Sequence, residues 1–407
     1  MAQIEPFRPI RPNPFYADQL VFVKPQAESV AGDVAVLESL PALKTLLETG
    51  ARQRPETPEG QARAYYDIKD SLQTLLDKDR LWREQTPGIY VYEVVHQTYR
   101  QTGIWTLTSL NDYNAGVIKT HELTFADSVR RLRNYRENIG LEGSPILLAY
   151  PPEIAINRII AETKASKQKT TLGNQHGLHR LWKINDSKVQ QRLINAFAAI
   201  PTVYLADGHH RLESAVGLAN EYKERGLKFY DTISSLYMAT DQLRIREYNR
   251  VVVLSQPVDK TWLLQQLGRH FDIRKSTGNQ PVQPRELHVL GMYTGGNWYQ
   301  MIAQPDTYIN KGAANNLDAS ILQEEVLAPL FGITDPKNDP RLKCAGGEKA
   351  MEEIDAILTI NPDAIVFTLC PLTIGQLIAV ANAGEILPPK STWIDPKVPY
   401  GLLLHQH

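Results

Sequence analysis

The sequence has few cysteines, no excess of either charge and no long apolar run. Of its 407 residues only Cys344 and Cys370 are cysteines, and they do not stand in a Cys-x-x-Cys spacing. Two such thiols are too few for a disulfide scaffold or a thiolate zinc ribbon. Lysine and arginine number 44 against 45 aspartate and glutamate residues, a net charge of −1. This balance argues against nucleic acid or a membrane surface as a partner, because binding to either needs a basic excess.

The start of the chain and its hydropathy predict a cytoplasmic protein. The first residues, MAQIEPFRPIRP, lack the apolar core of a signal peptide. No apolar run approaches the ~20 residues that a membrane-spanning helix needs. Hydrophobic residues make up 43 % of the chain and charged residues 22 %, which is typical of a folded globular protein.

Strand-like and helical stretches alternate along the chain, which predicts a mixed α/β or α+β fold. The β-branched and aromatic residues at 89–95 and 103–110 predict an antiparallel hairpin. Further strands are expected at 146–150, 177–184 and 203–206, and helices at 33–49, 61–79, 126–139, 187–199 and 209–225. We expect residues 1–255 to form a first domain, and residues 256–407 to form a C-terminal α/β region packed on it.

The segment LADGHHRLESA is the strongest chemical signal in the sequence. A strand ends at Asp207, Gly208 permits a tight turn, and a helix follows. The free N–H groups and dipole of a helix N-terminus attract anions, and Arg211 would add a forked contact suited to phosphate oxygens. His209 and His210 are able to donate hydrogen bonds or move protons near neutral pH. The alternative is that Asp207 only caps the helix and the histidines decorate its first turn.

Two further stretches carry histidines, and we expect all three to meet in one cleft. One contains His121 and Glu122, and the other contains His176 and His179. Side chains of Glu122, His179 and Arg211 should then face a common pocket. The alternative for His121 and Glu122 is a surface turn.

A zinc site at His176 and His179 is also considered. These histidines would share a face only on a helix, whereas the following Trp182 and Ile184 favour a strand. The sequence has no HExxH motif and no set of thiolates, so no metal ligand is assigned.

Two charged or polar stretches allow more than one interpretation. The basic run at 130–136 predicts either a surface that repels partners other than anions or a solvated helix face, with Leu132 and Tyr135 on the buried side. The block LPPKSTWIDPK near the C-terminus predicts either a packed surface loop or a lid, with Lys390 reaching a bound anion.

Six blocks in order resemble the family called domain of unknown function 1015. They are IEPFRPIRP, QTGIWTL, IKTHELT, HGLHRLW, YLADGHHRLESA and LPPKSTWIDPKVPYGLLLH, and they span nearly the whole chain. The DGHHR turn further resembles the phosphate-binding turn of the ParB and sulfiredoxin-like superfamily. In that superfamily a Gly-x-x-Arg-x-x-Ala pattern opens a helix, and here it would be Gly208, Arg211 and Ser214 or Ala215.

The resemblance implies a ParB-like core in the first domain that binds a nucleotide, ATP or ADP, with Mg²⁺ as a candidate companion ion. The superfamily includes nucleotide-dependent kinases of free serine, so it implies phosphoryl transfer to a small hydroxyl compound, with serine the leading candidate. The implied nucleotide-binding residues are Asp207, Gly208, His209, His210, Arg211 and His179. Glu122, or a histidine such as His121 or His210, would accept the hydroxyl proton.

The chain departs from this family and superfamily in two places. Residues 22–28 stand where the family has a Pro-Tyr-Asp-Val block, and if that block shapes the pocket, this member has altered or lost activity. His209 and His210 occupy the turn where sulfiredoxins have their cysteine, which argues against sulfinic acid reduction.

Two other functions stay open from the sequence. One is a non-catalytic nucleotide-binding module of the ParB type. The other is a metal-dependent phosphohydrolase that would use His121, His176, His179, His209 and Asp207.

Overall fold

A computed structural model describes residues 1–21, 42–52, 57–96, 99–166, 168–174, 177–278 and 280–407. The chain has the predicted mixed α/β fold. Residues 22–28 and His176 lie outside the described residues. The start of the predicted helix 33–49 also lies outside them, and the structure describes a helix at Leu43–Arg52 that overlaps its end.

The described residues contain 21 strands and 13 α-helices. The strands are β1 (Ile4–Glu5), β2 (Ile10–Pro12), β3 (Leu81–Arg83), β4 (Ile89–Val95), β5 (Arg100–Ser109), β6 (Ile118–Lys119), β7 (Leu141–Glu142), β8 (Ile146–Tyr150), β9 (Thr170–Asn174), β10 (Gly177–Ile184), β11 (Val203–Asp207), β12 (Thr232–Ala239), β13 (Arg244–Arg246), β14 (Tyr248–Val252), β15 (Phe271–Lys275), β16 (Val289–Thr294), β17 (Asn297–Ala303), β18 (Leu342–Gly346), β19 (Ile365–Thr368), β20 (Trp393–Asp395) and β21 (His405–Gln406). The helices are α1 (Ala17–Leu20), α2 (Leu43–Arg52), α3 (Pro58–Asp77), α4 (Asn111–Asn114), α5 (Ala126–Ile139), α6 (Ile154–Lys164), α7 (Ser187–Ala198), α8 (His209–Glu224), α9 (Lys260–Leu267), α10 (Asp318–Leu322), α11 (Ala328–Phe331), α12 (Ala350–Ile360) and α13 (Ile374–Ala383). A π-helical segment, Gln323–Leu327, joins α10 to α11.

The larger of the two main sheets has nine strands in the order β6-β11-β8-β12-β5-β4-β10-β9, with β1 also paired to β5. The predicted hairpin is confirmed, because β4 and β5 are adjacent and antiparallel. Among the strand pairs that the structure describes in this sheet, β6–β11 and β8–β12 are parallel and the others are antiparallel.

Both faces of this sheet are covered, and its central strands β8, β12, β5 and β4 are therefore buried almost without interruption. On one face Ile89, Val91 and Ile104 share a hydrophobic cluster with residues of α7 and α8. On the other face Tyr90 and Trp105 belong to a cluster that includes α13 and the C-terminal segment.

The smaller main sheet has six antiparallel strands in the order β15-β17-β16-β19-β14-β18. Its core packs against α9 and the continuous helical stretch 318–331. The strands of this sheet span residues 248–368, and the chain then returns to the first sheet. There α13 packs on the sheet, β20 pairs with β13 and β21 pairs with β7. A division into domains at residue 255 stays a prediction.

Both cysteines are free thiols. Cys344 lies in β18, and Cys370 follows β19. Among the described residues no helix is both long and apolar enough to cross a membrane.

Candidate functional site

The turn between β11 and α8 requires a glycine. Gly208 has a φ of 101°, in the left-handed region that residues with a Cβ avoid. A Cβ at this position would lie 2.9 Å from Ile146 Cγ2 and 2.9 Å from Arg211 Nη2. The predicted strand, glycine turn and helix are therefore all present, and the glycine holds the first turn of α8 close to β8.

Asp207 does not cap α8, contrary to one interpretation of the sequence. Gly208 occupies the N-cap position, and no side chain caps this end of the helix. Asp207 Oδ2 instead accepts a hydrogen bond from Arg211 Nη2 at 2.7 Å. The first N–H groups of α8 are therefore left to bind water or a ligand, and an anion is the ligand that the helix dipole favours.

A cavity of about 450 Å³ opens beside this turn, a volume within the usual range for small-molecule sites. Residues 206–211 form one wall. Another comes from one face of α5, with Ser128, Arg131, Leu132, Tyr135 and Arg136 at helical spacing. This face extends for about 12 Å. Lys390, Thr392, Trp393, Ile394, Lys397 and Tyr400 bring the C-terminal block to the same cavity.

Positive charge is concentrated in this cavity. Six basic side chains line it, namely Lys44, Arg131, Arg136, Arg211, Lys390 and Lys397, against the three carboxylates Glu122, Glu142 and Asp207. The whole chain, by contrast, has a net charge of −1. Such a local excess favours an anionic ligand.

The Arg136–Glu142 pair is buried at one end of the cavity. Glu142 accepts hydrogen bonds from Arg136 and from the backbone N–H of Ser234, and His407 Nε2 lies 2.9 Å from it. Burial alone would raise the pKa of Glu142, but Arg136 and His407 outweigh that effect and hold it well below its usual range. The interpretation of 130–136 as a wholly solvated face is therefore wrong for Arg136, which is buried because Glu142 neutralises it.

Opposing effects act on the two carboxyls near the turn. Burial opposes ionisation of Asp207, but Arg211 and Lys397 outweigh it and lower its pKa. Burial and the charge of Asp207 raise the pKa of Glu122, although Lys390 and Lys397 counteract them in part. Glu122 thus combines contact with the cavity and a pKa moved toward neutrality, the combination that general bases require.

His121 and His209 form a buried pair behind Glu122. Their rings meet edge to face with centroids 4.7 Å apart, and the two residues are 1 % and 5 % exposed. His209 Nδ1 lies 3.7 Å from Glu122 Oε2. Burial lowers the pKa of His121 to about 4 and that of His209 well below its ordinary value. Both imidazoles are therefore neutral at neutral pH.

His210 faces the cavity from a different environment. It is half-buried, and its ring lies 5.1 Å from that of Phe125. Burial and the nearby Lys337 lower its pKa. Its Nε2 is buried and has no hydrogen-bond partner among the described residues.

The structure does not bring His179 to this cavity. His179 lies in β10, and four strands separate β10 from β11, which corresponds to roughly 24 Å. Its Nδ1 lies 2.8 Å from the hydroxyl of Tyr92 in the adjacent strand β4, and this contact holds the ring against the face of the sheet. Two of the three histidine stretches therefore meet, and the described part of the third does not.

No group of three or more His, Cys, Asp or Glu residues that could hold a metal ion occurs in the described part of the chain. The set suggested for a metal-dependent phosphohydrolase is not assembled, because His179 lies far from His121 and His209.

Several cavity residues were not selected from the sequence. Arg131 and Tyr135 could have been found from the sequence, because with Ser128 they repeat at i, i+3 and i+7 on one helix face. No sequence pattern indicated Lys44 or Tyr248. The C-terminal block lines the cavity, and within it Trp393–Asp395 is a strand paired with β13.

The fold and site define a mixed α/β protein with a cationic cavity at a strand–glycine–helix turn. The chain belongs to the family described as "Protein of unknown function (DUF1015)", which matches residues 4–320. This confirms the family resemblance seen in the sequence. No match was found among curated proteins.

Two solved structures show a distant likeness. A free serine kinase in complex with AMP is 11 % identical, with 74 % of this chain and 90 % of that chain covered and a TM-score of 0.40. SbnI with a C-terminal truncation, from Staphylococcus aureus, is 14 % identical, with 72 % and 82 % covered and a TM-score of 0.38.

Proposed function

We propose that this protein transfers a phosphoryl group from a nucleotide, ATP or ADP, to the hydroxyl of a small compound. One observation carries the proposal. A carboxyl whose pKa is raised, Glu122, lines the same cavity as the uncapped N-terminus of α8 and an excess of basic side chains. Phosphoryl transfer needs a site that neutralises phosphate charge and a group that accepts a proton.

The turn and its surroundings would bind the phosphates. The first N–H groups of α8 supply donors, and Arg211 supplies a guanidinium already placed by Asp207. Arg131 and Lys390 line the same cavity, and no ion pair is found for either within the described ranges. A triphosphate or diphosphate chain is the kind of ligand that matches this density of positive charge.

Glu122 is the residue proposed to accept the hydroxyl proton. In the transfer the acceptor oxygen forms a bond to phosphorus while the bond from phosphorus to the bridging oxygen breaks. The hydroxyl proton passes to Glu122, and the nucleotide leaves with one phosphate fewer. His121 is not suited to this role, since it is buried, does not line the cavity and has a pKa of about 4.

Mg²⁺ would enter this site as the partner of the phosphates. The described residues do not assemble a three-ligand metal group, whereas Mg²⁺ commonly uses few protein ligands and completes its shell with phosphate oxygens and water. Its chemical contribution when bound is to neutralise phosphate charge.

The finer assignment is part of the same proposal. The Gly208–Arg211 turn is interpreted as the phosphate-binding turn of the ParB and sulfiredoxin-like superfamily, and free serine as the leading acceptor. The resemblance of the DGHHR segment supports the first, and the small volume of the cavity is compatible with the second.

The test is nucleotide turnover that depends on an added hydroxyl compound. The purified full chain is incubated with ATP or ADP, with and without Mg²⁺, and with a panel of small hydroxyl compounds that includes serine. Phosphorus NMR follows the products. We expect transfer to one acceptor class, and Glu122→Gln should lose about a hundredfold or more in rate while still binding nucleotide. Nucleotide binding without turnover on any acceptor would favour the non-catalytic module instead.

A further inference from the structure

Glu122 lacks a hydrogen-bond donor, although a donor lies close by. Nothing in the described ranges donates to its carboxyl, and His209 Nδ1 lies 3.7 Å from Oε2. This separation exceeds a hydrogen bond by less than 1 Å. A small rotation of the partly exposed Glu122 side chain would therefore close it.

The two buried histidines carry ring nitrogens that make no hydrogen bond within the described residues, which is unfavourable for folding. Both ring nitrogens of His121 and the Nε2 of His209 are buried without a hydrogen-bond partner in the described parts of the chain. A buried polar atom that makes no hydrogen bond destabilises the folded state relative to one that makes its hydrogen bond. An apolar pair would fill the same space without this cost, so a requirement for imidazole at this place is indicated.

We propose that His209 is a positioning residue: its Nδ1–H donates to the Glu122 carboxylate, keeping that carboxylate ionised and directed into the cavity, while His121 fixes the His209 ring from behind. The consequence for catalysis rests on the proposed function. The effect on Glu122 itself does not.

The neutral state of His209 makes its tautomer decisive. A neutral imidazole has one N–H, and if this is on Nδ1 it stabilises the charged form of Glu122. With the proton on Nε2, the Nδ1 atom would instead accept from a protonated Glu122 and favour its uncharged form. The two tautomers thus predict opposite effects on the proton affinity of Glu122.

His121 packs the His209 ring into one orientation. The edge-to-face contact restricts rotation of both rings. The backbone carbonyl of His121 accepts from Leu387 N–H at 2.9 Å, which attaches the pair to the segment that carries Lys390. The groups that act electrostatically on Glu122 or His209 are Asp207, His121, His210, Arg211, Lys390 and Lys397.

The experiment measures protonation of Glu122 directly. Glutamate side chains are labelled with ¹³C at the carboxyl, the Glu122 signal is assigned by its loss in Glu122→Gln, and it is titrated in the full chain. His209→Asn puts an amide N–H where Nδ1 stands, His209→Gln puts it one bond further out, and His209→Leu has no donor. His210→Leu, at the next residue of the helix, is the matched control.

We expect the proton affinity of the Glu122 carboxylate to be about tenfold higher in His209→Leu and in His209→Gln than in wild type. His209→Asn and His210→Leu should stay within about twofold of wild type. Unchanged proton affinity in His209→Leu overturns the proposal, as does weaker proton binding, which would reveal the other tautomer. If His209→Leu does not fold, the proton affinity of Glu122 in His209→Asn is compared with that in His209→Gln, and equal values in the two variants overturn the proposal.

This titration needs neither nucleotide nor turnover, so its failure is distinguishable from failure of the phosphotransferase assignment. Where turnover is found, the acid limb of its pH profile should move to higher pH in His209→Leu and return in His209→Asn. A purely structural role for His209 would lower activity without moving that limb.

Discussion

The guanidinium of Arg211 and the carboxylate of Asp207 meet at 2.7 Å across the turn that starts α8. Nε of Arg211 is buried without a partner in the described part of the chain, but the side chain as a whole is 32 % exposed, so part of it stays accessible to a ligand. Asp207 therefore orders Arg211 before a ligand binds, which reduces the entropy lost on binding. The same pair means that removing Arg211 would leave a negative charge in the phosphate site.

Gly208→Ala should destabilise the protein and weaken anion binding. The new Cβ would collide with Ile146 and Arg211 at 2.9 Å, and the residue would have to adopt a φ of 101°. We expect a loss of about 1–3 kcal/mol in the free energy of unfolding, measured by urea denaturation. Gly217→Ala, in the exposed interior of the same helix and with open space around its Cβ, is the control. It should gain about 0.5–1 kcal/mol. Equal effects of the two substitutions would contradict this account of the turn.

Acid should destabilise the protein through its buried histidines. Burial lowers the pKa of His121 and of His405 to about 4, so between about pH 6.5 and pH 4 the unfolded chain binds protons that the folded chain does not. Stability is therefore lost as the pH falls through this window, by roughly 3 kcal/mol for each histidine at the limit. His209 adds to the effect in the same direction.

The measurement is the free energy of unfolding in urea at about pH 7 and about pH 5. His121→Phe, which cannot titrate, should show a smaller loss between the two than wild type. A wild-type value that is unchanged or higher at the lower pH would contradict the assignment of these histidines as buried and neutral.

Asp318 should have the opposite dependence. It is 2 % exposed, its Oδ1 accepts from His288 N–H at 2.7 Å, and burial raises its pKa to about 7. Between about pH 4 and pH 7 the folded chain thus holds a proton that the unfolded chain releases, and this contribution to stability is lost progressively as the pH rises through that window. An asparagine at position 318 would keep the oxygen that accepts from His288 N–H but could not become charged. Asp318→Asn should therefore gain stability relative to wild type as the pH rises, by roughly 4 kcal/mol at most.

Urea denaturation of Asp318→Asn and wild type across this pH range is the check. Asp306→Asn, at an exposed aspartate of the same region, is the control. A constant difference between the Asp318 variant and wild type from acid to alkaline pH would show that Asp318 does not hold its proton.

Local features of the fold were predictable from the sequence because their signals are local. The hairpin of β4 and β5 follows from alternating β-branched and aromatic residues, and the turn at Gly208 follows from a strand, a glycine and a helix in succession. Glu122 and His209 were both selected as candidates, and the structure places them side by side.

The rest depends on contacts between distant parts of the chain. His179 resembled the other histidines in its local pattern, but its distance from Gly208 follows from the strand order of the sheet, which no local pattern encodes. Arg136 is buried because Glu142 and His407 meet it, and His407 is 271 residues away. Lys390 and Lys397 reach the cavity because the chain returns to the first sheet after completing the second.

Calorimetric titration of nucleotide into Arg211 variants shows whether the turn at 208–211 binds phosphate. Arg211→Ala should lose about tenfold to more than a hundredfold in affinity, since a charge-assisted contact is worth about 1.5–3 kcal/mol. Arg211→Lys should recover part of this, because an ammonium keeps the charge but not the fork. Arg130→Ala is the matched control, as Arg130 is exposed, pairs with Asp127 and does not line the cavity. It should bind like wild type.

Circular dichroism establishes that each variant is folded, which is expected because Leu212, Ala215 and Val216 still pack α8 into the core. The account predicts a folded Arg211→Ala with strongly weakened nucleotide binding beside an unaffected Arg130→Ala. A folded Arg211→Ala that binds nucleotide as tightly as wild type would contradict the phosphate-binding turn and the proposed function with it.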